Sequence, residues 1–270
     1  MVVVEQVNIY PLKSGRGIER AAARLGTTGF EWDRHWMLID ENRRFLSQRT
    51  HPLLARVVPE IGAAELIFSA PQRAPLRVPL APVGSPLGVR VWQDDCEGLD
   101  QGDAAAAWMS AIAAQPVRLV RIPQAPKRLA RAEFAGPQPA PVSFVDGYPI
   151  LVCNRASLEE LNARMGESIP MERFRPNIVV GGLAAFAEDR IAALEIGAVR
   201  LNLVKPCTRC VIPSTDQRTG ERSTDPLPVL KQFRFDHTLR GVTFGENAVI
   251  AHGSGALVEC GATCSVIYDG

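Results

Sequence analysis

Residues 66–92 read LIFSAPQRAPLRVPLAPVGSPLGVRVW. Leu66–Phe68 and Val89–Trp92 are short runs of β-forming residues. Between them stand Pro71, Pro75, Pro79, Pro82, Gly84 and Pro86, which mark loops. This spacing favours antiparallel strands over parallel βαβ units. Similar segments lie on either side. Val2, Val4, Val7 and Ile9 form a first strand that stops in the turn-rich Pro11 to Gly17. Trp36–Ile39 runs into the polar turn Asp40 to Arg44, and Val117–Arg121 repeats the pattern. The chain therefore reads as β-rich α+β.

Three helices have readable ends. Asp103 is a candidate cap for an Ala-rich helix holding Trp108 and Ile112, which stops before Pro116. Ser157 and Glu160 fit a capping box, with Leu158, Leu161 and Met165 at helical spacing and Gly166 as the stop. Asp225 and Pro226 open a third helix with Leu227 and Leu230 on one face.

The chain has 270 residues, 46% of them hydrophobic and 22% charged. At about 150 residues per domain that means one large domain or two small ones. No disulfide or metal staple is needed for a core of this size. The boundary falls in the proline-rich stretch 123–141, giving expected units of 1–122 and 142–270. Lys127, Arg128 and Arg131 lie in that stretch. It reads as a solvated linker or as a mobile lid or basic docking strip. The net charge of +1 disfavours a general polyanion binder, so no nucleic-acid polymer is expected as partner. No apolar run reaches the length of a membrane span, and Met1 to Glu5 do not begin a secretory signal. Cys96, Cys153, Cys207, Cys210, Cys260 and Cys264 then read as reduced thiols, and the expected location is cytoplasmic.

The sharpest local feature is Lys205-Pro206-Cys207-Thr208-Arg209-Cys210. A lone C-x-x-C has several meanings. It can be half a zinc site, with Cys260 and Cys264 as the other half, although the spacing is longer than usual. It can be a redox dithiol, which needs a helix starting at the first cysteine. Val211 and Ile212 instead continue as strand. It can supply a thiolate to another metal, with Lys205 and Arg209 favouring the ionised thiol. It can also be two ordinary cysteines. The histidines at 35, 51, 237 and 252 form no i, i+4 pair, and no nucleophile elbow, Walker A or dinucleotide fingerprint is present. His35, beside Arg34, could face a pocket, but reads rather as a packed or an exposed side chain.

The flanking motifs narrow the choice. They comprise Tyr10-Pro11-Leu12-Lys13-Ser14, Gly17-Ile18-Glu19, Asp33-Arg34-His35-Trp36, Ser47-Gln48-Arg49 and Asp146-Gly147-Tyr148-Pro149. Phe174-Arg175-Pro176-Asn177, Phe186-Ala187-Glu188-Asp189, the cysteine motif, Asp225-Pro226-Leu227 and Phe244-Gly245-Glu246-Asn247 follow in order. With this ordered set the chain resembles the molybdenum cofactor sulfurase C-terminal (MOSC) superfamily. It is most similar to the branch with an N-terminal companion domain, which includes the mitochondrial amidoxime-reducing component and bacterial relatives.

The resemblance implies a mixed MOSC-type β-barrel joined to a smaller α+β N-terminal domain. It implies a molybdenum cofactor in the pyranopterin dithiolene form without an appended nucleotide. Cys210 matches the metal ligand, a soft donor suited to that metal, with Cys207 behind it. Lys13, Ser14 and Arg34 match the phosphate-binding positions, with Arg49 beside them. Asp146, Arg175, Asn177 and Thr208 match residues that line the pterin site. Cys210 and Asp146 are the candidate catalytic residues. The implied activity is reduction of amidoximes, hydroxylamines, N-hydroxylated bases or N-oxides. Electrons would come from a separate flavin, haem or iron–sulfur protein, docked on the Lys127/Arg128/Arg131 strip. The alternatives are a cofactor carrier or sulfur-transfer protein using Cys210 as a persulfide site, and a zinc module using the four late cysteines.

Overall fold

A computed structural model describes residues 1–269. Its centre is a closed barrel of seven strands. In chain order these are β1 (Val2–Ile9), β2 (Ile150–Asn154), β3 (Ile178–Gly181), β4 (Ile191–Ile196), β5 (Val199–Thr208), β6 (Gly241–His252) and β7 (Thr263–Tyr268). Round the barrel the order is β2-β3-β1-β7-β4-β5-β6, and β6 closes on β2. Only β2 and β3 run parallel, joined by the helix Arg155–Met165, since a parallel pair needs a crossover. The barrel is therefore mixed, and the β-rich α+β reading holds.

Strand pairing crosses the expected boundary in the linker. β1 belongs to the first part of the chain, yet it pairs with β3 (Val4 to Val180, Val7 to Ile178) and with β7 (Val2 to Cys264). Val4, Val7 and Ile9 are all buried in the barrel core. Strict alternation would not bury both Val4 and Val7. A register shift between Val4 and Gln6 makes it possible, because a bulge adds one residue to the count.

The rest of the first part forms two smaller sheets and a helix. Trp36–Ile39, Arg118–Arg121, Asp94–Asp100 and Ser85–Val91 make one sheet, and Val58–Ile61, Glu65–Ser69 and Leu76–Pro79 make the other. The helix Asp103–Ala113 packs its Ala105, Met109 and Ala113 against Trp36, Leu38 and Phe68. The strand Leu76–Pro79 lies inside the stretch read as loop. It is an edge strand, where a proline costs no ladder bond.

Three local expectations are corrected. Gly102, not Asp103, is the N-cap of the first helix. The capping box at Ser157 does not form. Asn154 caps that helix by accepting from the Ala156 N–H, while Ser157 donates to the buried Glu188 carboxylate and accepts from the Phe186 N–H. Val211–Ile212 do not extend a strand. β5 ends at Thr208, and a tight turn Ile212–Ser214 follows, pinned by Ser214 Oγ and Arg222 Nη1 donating to the Val211 carbonyl.

The stretch 123–141 is tied down rather than loose. Leu129 bridges Pro141, and the Ala130 N–H donates to the Ala140 carbonyl. Arg128 is buried and donates to the carbonyls of Ser143, Val145 and Asp146, with Asp94 on its Nε at 2.7 Å. It is a brace for the loops beneath, so the expected basic docking strip loses its middle member.

His35 is packed between Trp32 and Trp36, and its Nδ1 has no hydrogen-bond partner. Burial, aided by Arg121, pulls its pKa down to about 3. In the unfolded chain His35 takes up a proton near pH 6.5, while the folded protein refuses it. The stability that comes from keeping it neutral is present above pH 6.5 and is lost as pH falls towards 3. Unfolding by urea at pH 5 should show a loss of roughly 2 kcal/mol against pH 7 from this group. His35→Gln should shrink the difference, and an equal loss in that variant would contradict the assignment.

Candidate functional site

The polar segments that leave these strands converge. Tyr10 to Ser14 follow β1, and Asp146 to Tyr148 precede β2. Arg175 to Asn177 lead into β3, while Cys207 to Cys210 end and follow β5. With Arg34 and Ser47 to Arg49 from the first part they enclose a cleft of about 590 Å³. Lys13, Ser14, Arg34, Arg49, Asp146, Arg175, Asn177, Thr208 and Cys210 all line it. The residues expected to share a site line one cleft, on the border between the barrel and the first part of the chain.

One pole is cationic. Lys13 is buried, donates to the Phe144 carbonyl at 2.8 Å, and is ion-paired with Asp146. Burial outweighs the attraction of Asp146 and pulls the Lys13 ammonium down to about 8. Arg49 holds the other Asp146 oxygen at 2.8 Å. Burial opposes the charge on Asp146, but Lys13 and Arg49 prevail and hold its carboxyl well below the usual carboxylate range. Asp146 is thus a fixed acceptor and not a proton donor. Arg49 and Cys210 line the same cleft. Burial disfavours the charge on Arg49, yet Asp146 and Cys210 together raise its pKa.

A second layer orients the arginines. Tyr10 is buried, and its ring lies between Arg34 and Arg175 with guanidinium carbons 4.2 and 4.4 Å from its centroid. The Tyr10 N–H donates to Asp33 at 2.8 Å, and Arg34 donates to the same carboxylate at 2.7 Å. Arg175 donates to the Gly15 carbonyl and to Gln217. Burial, with Arg34 nearby, draws Arg175 down to about 10, so it stays charged at neutral pH. Ser14, Arg34 and Arg175 have φ of 69°, 52° and 58°. Non-glycine residues rarely adopt this left-handed region, and such strain persists where the surroundings hold a functional geometry.

Two expected roles are qualified by the contacts. The Asn177 amide is already occupied: Oδ1 accepts from Leu151 N–H and Arg34, and Nδ2 donates to the Asn8 carbonyl. It staples the strand starts together. Arg209 was expected to favour ionisation of a neighbouring thiol, and it donates to Cys207 Sγ at 2.9 Å while its other arm holds the Phe174 carbonyl. Cys210 thus stands apart from the Arg209–Cys207 contact. The late cysteines are elsewhere: Cys264 is buried in the barrel core, and Cys260 donates to the Arg20 carbonyl. Among the described residues no group of three or more His, Cys, Asp or Glu is placed to hold a metal ion. A four-cysteine zinc site does not form. A metal held by Cys210 has to bring its other ligands with it.

Comparison with known proteins agrees with this geometry. The model for the MOSC N-terminal beta barrel domain matches residues 1–116, and the model for the MOSC domain matches residues 139–265. Mitochondrial amidoxime-reducing component 1 of Danio rerio is 33% identical, over 86% of this chain and 74% of that protein.

The chain belongs to the MOSC family.

The human amidoxime-reducing component 1 is 32% identical over 86% of this chain and 72% of its own length. The molybdenum cofactor sulfurase of Bos taurus is 29% identical over 86% of this chain, which matches 29% of that longer protein. Both kinds of MOSC relative tie this chain to molybdenum-cofactor chemistry. The MOSC cleft described above fits such a group on its own chemistry. It offers two partly exposed soft donors, Cys207 under Arg209 and Cys210 without that contact, no competing ligand cluster among the described residues, and an excess of cations for a phosphate tail.

Sequence reading assigned no role to Tyr10, Asp33, Gln48, Gln217 or Arg222. The first three lie inside the motifs it quoted. Gln48 and Gln217 exchange amide hydrogen bonds at 2.9 and 3.0 Å across 169 residues, and no local signal marks such a pair.

Lys13 gives the MOSC site a pH dependence. An oxyanion bound beside Lys13 would keep it protonated, whereas the free site loses that proton as pH rises through about 8. Binding then has to take up a proton and weakens, by up to about tenfold per pH unit. Calorimetric titration of sulfate, which does not itself titrate here, into the cofactor-free protein at pH 7 and 9 measures this. Equal affinity at both values would contradict it.

Proposed function

We propose that the protein is a molybdenum-cofactor-dependent reductase of N-hydroxylated compounds and N-oxides. The observation that carries this reading is the cleft that places the Cys210 thiol with Lys13, Arg34, Arg49 and Arg175. The amidoxime-reducing names of the relatives supply the reaction class. Cys210 would bind the metal, and Lys13, Ser14 and Arg34 the phosphate of a pyranopterin dithiolene without an appended nucleotide. Asp146 and Thr208 would face the pterin. When bound, the group supplies the two-electron redox chemistry of N–O cleavage.

The chain's own residues do the rest. Arg49 is held by Asp146 and lines the cleft with Cys210, so it places a fixed positive charge on the side of the sulfur. Asp146 remains a carboxylate and can accept a hydrogen bond from an N–H group. The Tyr10 ring and the Asp33 carboxylate hold the arginines in place. Electrons would come from a separate donor protein, in keeping with the absence of a dinucleotide fingerprint and of a plant-type iron–sulfur run from residues 1–270.

The test is elemental analysis of the purified protein together with benzamidoxime reduction driven by reduced methyl viologen. Molybdenum near one per chain and turnover support the reading. Molybdenum without turnover, accompanied by a persulfide on Cys210, would favour sulfur transfer instead, and zinc alone would refute both.

A further inference from the structure

Trp92 occupies the tip of the hairpin between strands Ser85–Val91 and Asp94–Asp100. Val91 pairs with Asp94, so the turn contains only Trp92 and Gln93. Trp92 has φ of 58°. A positive φ at the first position of a two-residue hairpin turn is where glycine is preferred. A bulky side chain there is an outlier. The indole is nonetheless 50% exposed. Folding alone does not call for tryptophan at this place.

Its neighbours are arranged around it. Phe45 meets the indole edge-on at 5.2 Å, and the Arg49 guanidinium lies 4.5 Å from its centroid. Trp92, Arg49 and Cys210 line the same cleft, so the exposed ring stands at the rim of the site that holds the sulfur. Asp94 binds Arg128 at 2.7 Å and ties the hairpin tip to the segment carrying Leu129 (half-exposed) and Arg131. On the side of Phe45 lies an open groove of about 700 Å³ that includes Arg43, Arg44 and Arg90. Asp95 is spent on Arg90, and the Asp40 carboxylate caps the Arg44 N–H. The side chains of Arg43 and Arg44 have no hydrogen bond or ion pair among the described residues, and Glu41 is the one acidic neighbour left beside them in the chain. An exposed tryptophan flanked by uncommitted arginines has the composition of a binding hot spot.

We propose that this rim, centred on Trp92 with Arg43 and Arg44, is the docking surface for an electron-donor protein bearing an acidic face around its redox centre. The proposal rests on the reductase reading given above. Conversion of an N–OH group to N–H and water takes up two electrons and two protons. The carrier supplies the electrons, one from each of two reduced molecules, and the solvent supplies the protons. Charge complementarity governs the encounter, so it has to weaken with salt.

The probe is an acidic flavodoxin, titrated in its oxidised form into the cofactor-free protein at low ionic strength. The wild type should bind it, and added salt should weaken binding. R43E/R44E should lower the affinity at least tenfold, and so should Trp92→Gly. Trp92→Gly relieves the turn but gives up the contacts with Phe45 and Arg49, so the melting temperature is measured alongside, and binding is compared well below it, where unfolding cannot account for a loss. No binding by the wild type, or undiminished binding by either variant, overturns the proposal. With the holoenzyme, R43E/R44E should slow benzamidoxime reduction driven by reduced flavodoxin at least tenfold and leave the rate with reduced methyl viologen unchanged. A holoenzyme inactive with viologen would refute the reductase reading, while the titration would still judge the docking surface.

Discussion

Cys210→Ser is expected to leave the protein folded and nearly free of molybdenum, with turnover lowered by more than about 100-fold. Outer-shell partners of a metal ligand commonly account for 10–100-fold in affinity or activity, so loss of the ligand itself should cost more. A serine hydroxyl is a hard donor and does not replace a thiolate at a soft site. Cys210 is only partly buried and packs in no apolar cluster, so its removal should barely move the melting temperature. Cys207→Ser is the comparison. Cys207 is held by Arg209 at 2.9 Å, and its loss should have the milder, outer-shell effect. Molybdenum content by mass spectrometry separates the two. A Cys210→Ser protein with full metal content would remove the basis of the proposed function.

Asp33→Ala should be the most damaging single change to the fold near the site. The Asp33 carboxylate is fully buried, accepts from the Tyr10 N–H, and pairs with Arg34 at 2.7 Å. Burial, the largest influence, raises its pKa against the opposing pull of Arg34. Without it, Arg34 is left in a confined place with no counter-charge, and the Tyr10 N–H loses its acceptor. Breaking a buried pair from one side costs about 3–5 kcal/mol. In a chain of this size that corresponds to a melting-temperature drop of roughly 10 °C. Asp33→Asn keeps an acceptor for the N–H and should lose less. A melting point within a degree or two of wild type for Asp33→Ala would show that Arg34 finds another partner.

The sequence carried the barrel poorly and the site well, for a physical reason. Site chemistry sits in short motifs such as Tyr10 to Ser14 and Cys207 to Cys210, where residue type and spacing are directly readable. Barrel closure depends on which strands meet, and β1 meets β3 and β7 across most of the chain. Nothing in Val2 to Ile9 reports that partner. Periodicity marks the helix starting near Asn154, but residue type does not mark its cap. Ser157 has the residue type for a cap, yet the buried Glu188 carboxylate takes its hydroxyl. The basic residues of 123–141 were read as a surface group because charge is usually exposed. Arg128 is the exception, since three carbonyls and Asp94 satisfy its guanidinium inside the protein.

The placement of β1 also governs how the molecule can be assembled. Residues 2–9 leave the ribosome well before their neighbours 263–268. During elongation the nascent chain can settle its smaller sheets early, but one stave of the barrel must wait for a partner some 260 residues downstream. Closing so long a loop is slow. Until it closes, the edges of β1 and β4 that β7 will join stand unpaired, which gives chaperones a clear interval in which to act.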